Sequence, residues 1–256
     1  LTGYNASGIK TVEDLENVQI IESSSTSVTF LILGCNPALA TSSLAVRQAI
    51  AYALEREDLA SAASDDSGKV AYNLAPPTVQ YYTEDVEKFE RDLDKSKELL
   101  EKEGYSENNR VHINLISIGA QTYWISACEL VKAMLEESYF DVDIVELEST
   151  ARYFQADYEM GIINFTYTTS FPMYNILFDM NSGLDLAAYV DDDLLASFTQ
   201  IDDEASTQDL MRKVVETLAY YPLFYPTSFT AADADLDMGP LFTELEASLL
   251  KDVSWK

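Results

Sequence analysis

Apolar residues recur at helical spacing at Leu44, Val46, Ile50, Ala53 and Leu54. They predict a helix with one buried stripe, with Ser42 as its N-cap. Arg47 and Glu55 fall off that stripe and face water or a neighbouring element. Pro76 and Pro77 then break regular structure. A second helix follows, capped by Asp92 or Asp94 and anchored by Leu99 and Leu100. Gly104 supplies its left-handed stop.

Strand patterns alternate with these. Val28–Leu33 is a β-branched and aromatic run, which predicts a buried strand ending in the turn Gly34-Cys35-Asn36-Pro37. Val111–Ile118 alternates with an apolar face at 111, 113 and 115, less cleanly at 116 and 118. Gln121–Ser138 carries Ile125, Leu130, Val131, Met134 and Leu135 at helical spacing, and Val142–Glu146 is the next strand. Strand, helix and strand of these lengths predict a βαβ unit. A helical stretch at 151–157 precedes a strand over Met160–Tyr167, and Asn175–Leu186 reads as irregular to helical. Asp191–Gln200 and Ser206–Tyr220 read as helices. The first opens on an aspartate run suited to a helix N-terminus. The second opens on a Ser206/Asp209 capping box, aligns Leu210, Val214 and Leu218, and stops at Pro222. Leu223–Thr230 is a further strand. Ahead of all this come a turn at Gly3–Gly8, a short acidic helix Thr11–Leu15, a strand Val18–Glu22 and a polar linker Ser23–Ser27, read as a crossover near a hinge. The acidic tail Asp233–Lys256 holds Trp255.

These elements imply an α/β fold, a mixed sheet flanked by helices over residues 28–222. The 256 residues suffice for one sizeable core or two smaller ones. With 44 acidic against 16 basic residues, the net charge is -28. Such a surface disfavours nucleic acid and anionic lipid. It is strongly solvated and leans toward cationic ligands. No apolar run approaches the roughly 18 residues that span a bilayer.

Catalytic chemistry finds little support. The only histidine, His112, lies mid-strand on the face opposite Ile113, as an exposed strand residue would. One histidine and the distant Cys35 and Cys128 cannot build a zinc site of ordinary composition. Both cysteines sit among apolar residues and read as buried thiols, with a disulfide as the alternative. Phosphate-binding, dinucleotide and serine-hydrolase motifs are absent, and no cofactor is expected. Asp233, Asp235, Asp237 and Glu244 have the spacing of a calcium loop, but Gly239 comes one place late and Pro240 follows. The same alternation fits a strand with one wet face.

The run Val46–Ala60 reads V-R-Q-A-I-A-Y-A-L-E-R-E-D-L-A. After the proline-rich loop comes Asp92-Leu93-Asp94-Lys95-Ser96-Lys97-Glu98-Leu99-Leu100, then Gly104-Tyr105. In order and separation these resemble the two signature motifs of the family 5 extracellular solute-binding proteins, the peptide and nickel receptors of ABC importers. Leu93 replaces a proline and Ser96 an alanine of the second motif. The likeness is strongest over about residues 28–145. It implies a type II periplasmic-binding-protein lobe over residues 28–222, with residues 1–27 leading in from a neighbouring lobe and hinge and residues 223–256 returning to that lobe. The chain would be the C-terminal half of a longer protein with a signal sequence and a lipid-anchoring cysteine. That protein would sit outside the cell or in the periplasm, attached to the surface. As a monomer it would capture a peptide or similar solute and hand it to a membrane permease, without catalysis. A sensing or scaffold module reusing the same lobe is the alternative.

The resemblance also marks candidate ligand-binding residues. In the family an aromatic-led strand runs into a turn that lines the cleft, matched here by Phe165–Leu177. Tyr167, Thr168, Thr169, Ser170, Phe171 and Tyr174 offer hydroxyls and rings in that turn. Ser170 stands where the peptide receptors have an aspartate that pairs with the ligand ammonium. A neutral hydroxyl cannot make that charge-assisted bond. Asn36 matches the asparagine that ends a family strand, and Tyr123 with Trp124 is a second candidate for the cleft wall. Ordinary core packing is the competing reading for these rings, and for Tyr81 and Tyr82 beyond the prolines. Arg47 is expected to be structural, held by a carboxylate or carbonyl.

Overall fold

The seven residues Ser27–Leu33 are all buried, and this strand is the axis of the fold. The computed structural model describes residues 2–4, 6–24, 26–64, 66–118, 122–155, 157–167, 174–179, 185–237 and 254–255. In chain order the strands are β1 (Thr2–Tyr4), β2 (Val18–Ser24), β3 (Ser27–Leu33), β4 (Lys69–Val70), β5 (Val111–Ile118), β6 (Phe140–Leu147), β7 (Met160–Thr166), β8 (Tyr220–Tyr225), β9 (Thr227–Asp233), β10 (Leu236–Asp237) and β11 (Ser254–Trp255). The helices are α1 (Ala6–Ile9), α2 (Leu44–Ala53), α3 (Arg56–Ser64), α4 (Leu93–Lys102), α5 (Thr122–Glu136), α6 (Tyr174–Phe178), α7 (Asp192–Ser197) and α8 (Glu204–Thr217).

Six strands form the main sheet in the order β4-β8-β3-β7-β5-β6, so the fold is α/β as expected. β3 runs antiparallel to β7 and β8, whereas β5 is parallel to β6 and β7. The parallel pair β5 and β6 is joined by α5, the expected βαβ unit. A three-stranded sheet, β1-β9-β2, and a small hairpin, β10-β11, lie apart from it.

Alternation along β3 serves two cores. Leu31 and Leu33 enter the core under α2, α3, α4 and α5, with Val46, Ile50, Leu100, Val131 and Leu135. Val28, Phe30 and Ile32 enter the opposite core with Tyr158, Tyr174, Phe178, Leu210 and Tyr220. Val111, Ile113 and Leu115 of β5 belong to the first core, but Ile116 lies in the second. Each such side chain, fully buried, contributes roughly 1.5–3 kcal/mol.

The helix ends depart from the pattern in instructive ways. Ser42 does not cap α2: its hydroxyl donates to the Leu39 carbonyl at 2.7 Å, and Ser43 holds the N-cap position without a side-chain bond. The signature run is two helices, because Leu54 turns to extended backbone as it enters the core. Asp92 does cap α4, accepting from the Lys95 amide, and Gly104 beyond it takes φ +88°. The acidic helix expected at 11–15 is a series of turns after α1, and the serine run belongs mostly to β2 and β3. α8 begins earlier than expected. Asp203 accepts from the Ser206 amide at 2.8 Å, and the Ser206 hydroxyl accepts from the Asp203 amide at 3.1 Å. It ends at Leu218, whose left-handed backbone swings that side chain to the other core. Pro222 therefore stops no helix: it lies inside β8, opposite Phe30. The strand expected at 223–230 is divided between β8 and β9 at Pro226.

At the outer edge of the main sheet, β6 has its backbone covered by cations. Lys132 Nζ donates to the Val142 carbonyl at 2.7 Å, and Arg110 Nη2 to the Phe140 carbonyl at 2.8 Å.

Candidate functional site

Register fixes which loops meet. Ser27 pairs with Thr166 and Leu33 with Met160, so β3 starts where β7 ends. β5 and β6 run parallel to β7, and β8 ends at the same side, with Thr29 opposite Phe224. One end of the sheet thus gathers the carboxyl ends of β5, β6 and β7. The chain also crosses there to the small sheet, between β2 and β3 and again between β8 and β9. Crevices beyond the carboxyl ends of parallel strands are common ligand sites in α/β sheets.

Tyr167 stands at this end, its amide donating to the Thr26 carbonyl at 3.0 Å. Its ring meets Phe165 edge-on at 5.3 Å. The side chain is buried, yet its hydroxyl has no hydrogen-bond partner among the described residues. Burial alone pushes that phenol well above its ordinary pKa. A buried hydroxyl without a partner costs on the order of 1–3 kcal/mol.

Tyr174 is also fully buried, and its hydroxyl donates to Asn73 Oδ1 at 2.7 Å. Tyr225 donates to the Asn73 and Ala75 carbonyls at 2.7 and 3.0 Å, and its ring meets Tyr82 edge-on. Asn73 Nδ2 reaches the Thr83 carbonyl at 3.3 Å. Asn73 is thus the buried hub beneath this end, and the sequence reading missed it. The signal was indirect: 16 tyrosines against 11 phenylalanines mean core rings whose hydroxyls need partners.

Thr168, Thr169, Ser170 and Phe171 lie outside the described residues, as do the side chains of Tyr123 and Trp124. The backbone places Tyr123 and Trp124 at the start of α5, just beyond the carboxyl end of β5 and on the same side as Tyr167. Asn36 lies past the end of β3, at the opposite end of the sheet, and its Oδ1 accepts from the Ala38 amide in its own turn. Tyr81 and Tyr82 flank the crowded loop, with Tyr82 Oη donating to Glu84.

Among the described residues no three or more His, Cys, Asp or Glu converge as a metal site. His112 is exposed, 3.8 Å from Asp143. Cys35 and Cys128 are free thiols, both pushed up to about 11 by burial. Asp233 Oδ1 accepts from the Asp235 amide, and Glu244 lies outside the described residues. Arg47 is buried and bonded to carbonyls, as expected. Asp191 caps α7.

Residues 1–183 match the model of the bacterial extracellular solute-binding proteins, family 5 middle. The chain belongs to this family. Along 252 aligned residues it is 25% identical to the nickel-binding periplasmic protein of Escherichia coli, covering 87% of this chain and 48% of that one. The heme-binding protein A of Haemophilus influenzae is 30% identical over 88 residues, 34% of this chain and 16% of that protein. The family fold extends along the whole chain. The substrate-binding protein CtaP of Listeria monocytogenes superposes with a TM-score of 0.85 at 19% identity, covering 99% of this chain and 55% of that one. The oligopeptide-binding protein AppA of Bacillus subtilis, in complex with a nonapeptide, gives 0.81 at 20% identity, with 100% and 56% covered. The lobe is of the type II periplasmic-binding-protein kind, and the chain spans about half the length of these family 5 proteins.

Proposed function

We propose that this chain is the C-terminal half of the substrate-binding component of an ABC importer. It captures a peptide or similar small solute in a cleft between two lobes and hands it to a membrane permease. The six-stranded sheet and its helices form one wall. Residues 1–27, and the chain beyond β8, belong with the neighbouring lobe. The carrying observation is the end of the sheet where three strand ends and both crossings meet the Tyr167 hydroxyl, which has no partner among the described residues. Tyr167 to Phe171, Tyr174, Tyr123 and Trp124 contribute to that wall. No reaction is catalysed, and lobe closure on the solute is the working step. The full-length protein is a monomer held at the outer cell surface by a lipid anchor.

Ser170 in place of the ammonium-binding aspartate favours a second reading, a sensing module without transport. A thermal-shift screen of the full-length protein against peptides, nickel chelates, oligosaccharides and calcium separates the two. A ligand that binds the native state raises the melting temperature. A peptide or chelate hit supports the receptor, and a blank panel moves the weight to the sensor. The 256-residue chain alone binds weakly or not at all, since half the cleft is missing. Sub-millimolar binding of a dipeptide to it would overturn that expectation.

A further inference from the structure

The far end of the sheet carries a cavity of about 290 Å³, lined by residues of α2, α7 and α8 and by Tyr189. It lies where β3 ends and β8 begins, away from both crossings to the small sheet. At its wall Arg47 is buried, 4% exposed. Nε donates to the Thr217 carbonyl at 3.0 Å, and Nη1 to the Thr41 and Ser42 carbonyls, each at 2.9 Å. All three acceptors are neutral, and Nη2 bonds to none of the described residues. Tyr189 lies beneath the guanidinium at 5.9 Å. A buried guanidinium that lines a cavity and keeps one N–H pair unbonded to described residues is a ready partner for a carboxylate.

The rest of the charged lining is mainly acidic, with Asp191, Asp193 and Glu216 beside Lys213. Asp193 and Glu216 make no side-chain hydrogen bond to described residues; Lys213, paired with Asp209 at 2.9 Å, lies within electrostatic reach of both. Leu44 and Leu194 supply apolar surface between. The acids disfavour a plain anion, and Arg47 disfavours a plain cation. We infer that this cavity binds a small zwitterion, a free α-amino acid with an apolar side chain. Its carboxylate meets Arg47 Nη2, its ammonium meets Asp193 and Glu216, and its side chain packs on Leu44, Leu194 and Tyr189. The volume lies at the small end of ligand pockets, which excludes a long peptide. The site is separate from the proposed cleft and stands or falls without it.

The test is methyl NMR of the full-length protein, titrated with leucine, with sodium acetate and with butylamine. Leucine should shift the Leu44 and Leu194 methyl signals saturably, while acetate and butylamine at equal concentration should not. The double variant Asp193→Asn, Glu216→Gln should weaken leucine binding about tenfold. Leu44→Trp should abolish it with an unchanged fold by circular dichroism. Shifts confined to other residues, equal binding of acetate, or unchanged affinity in the folded Leu44→Trp protein would each overturn the assignment.

Discussion

The Tyr174 hydroxyl donates to Asn73 Oδ1 at 2.7 Å, joining α6 to a loop 101 residues earlier. The bond ties the later part of the candidate turn to the hub that also receives Tyr225. Among the described residues, Tyr174→Phe leaves Asn73 Oδ1 with the Ala75 amide as its remaining donor. The expected loss is about 1 kcal/mol of stability, read by urea denaturation with an unchanged m-value. Because the turn loses its tether, ligand affinity of the full-length protein should fall as well.

Two neighbouring helix starts make opposite predictions. Asp92 accepts from the Lys95 amide at 2.9 Å, whereas Ser43 caps nothing with its side chain. Asp92→Ala should cost about 1 kcal/mol, and Ser43→Ala much less. Comparable losses in chemical denaturation would contradict this account of α2.

Gly34 is fixed by close approach. A Cβ there would collide with the Tyr158 carbonyl oxygen and lie 2.8 Å from Leu39 Cδ1. The backbone cannot retreat easily, since Gly34 N donates to Glu159 O at 2.9 Å and Gly34 O accepts from Thr41 Oγ1 at 2.6 Å. Gly34→Ala should lose about 3 kcal/mol, the upper range for overpacking. A melting temperature within a degree of the parent would refute the collision.

Glu55 and Glu57 lie close enough near the start of α3 to shift each other's titration. The hydrogen bond to Glu57 pushes the Glu55 carboxyl from its ordinary 4.5 up to about 7, and the same bond lowers Glu57. Between those values folded Glu55 holds a proton that the unfolded chain has released. This pair's contribution therefore declines as pH rises from about 4.5 to 7. Carbon-detected NMR should show Glu55 titrating near neutrality, and Glu57→Ala should return it toward the ordinary carboxylate range. An unshifted Glu55 in the parent would end the argument.

Much of the architecture was legible because it follows from periodicity. β5 has the bounds that its alternation predicts, and α5 follows its stripe. The misplaced ends are those where local and tertiary demands compete. Ser42 looks like a cap until its hydroxyl bonds backward to Leu39, and Pro222 looks like a breaker until β8 needs a residue opposite Phe30. Ser96 gave no sign of burial, yet its hydroxyl joins the Ala49 carbonyl at 2.8 Å and Ser138 at 2.9 Å. The candidate turn was found by likeness to a family, because its chemistry is ordinary hydroxyls and rings. Asn73 was invisible for a further reason: its partners lie 101 and 152 residues away.

The covered edge of β6 bears on the behaviour of the protein at high concentration. Bare strand edges invite pairing with another molecule, and mixed charge near them is a common defence. Here only 16 cationic side chains serve 256 residues, and Lys132 and Arg110 lie over the carbonyls of one exposed strand. Neutralising those two positions would increase the net negative charge and yet open a docking rail for fibrillar self-association, so charge repulsion and aggregation resistance part company in this molecule.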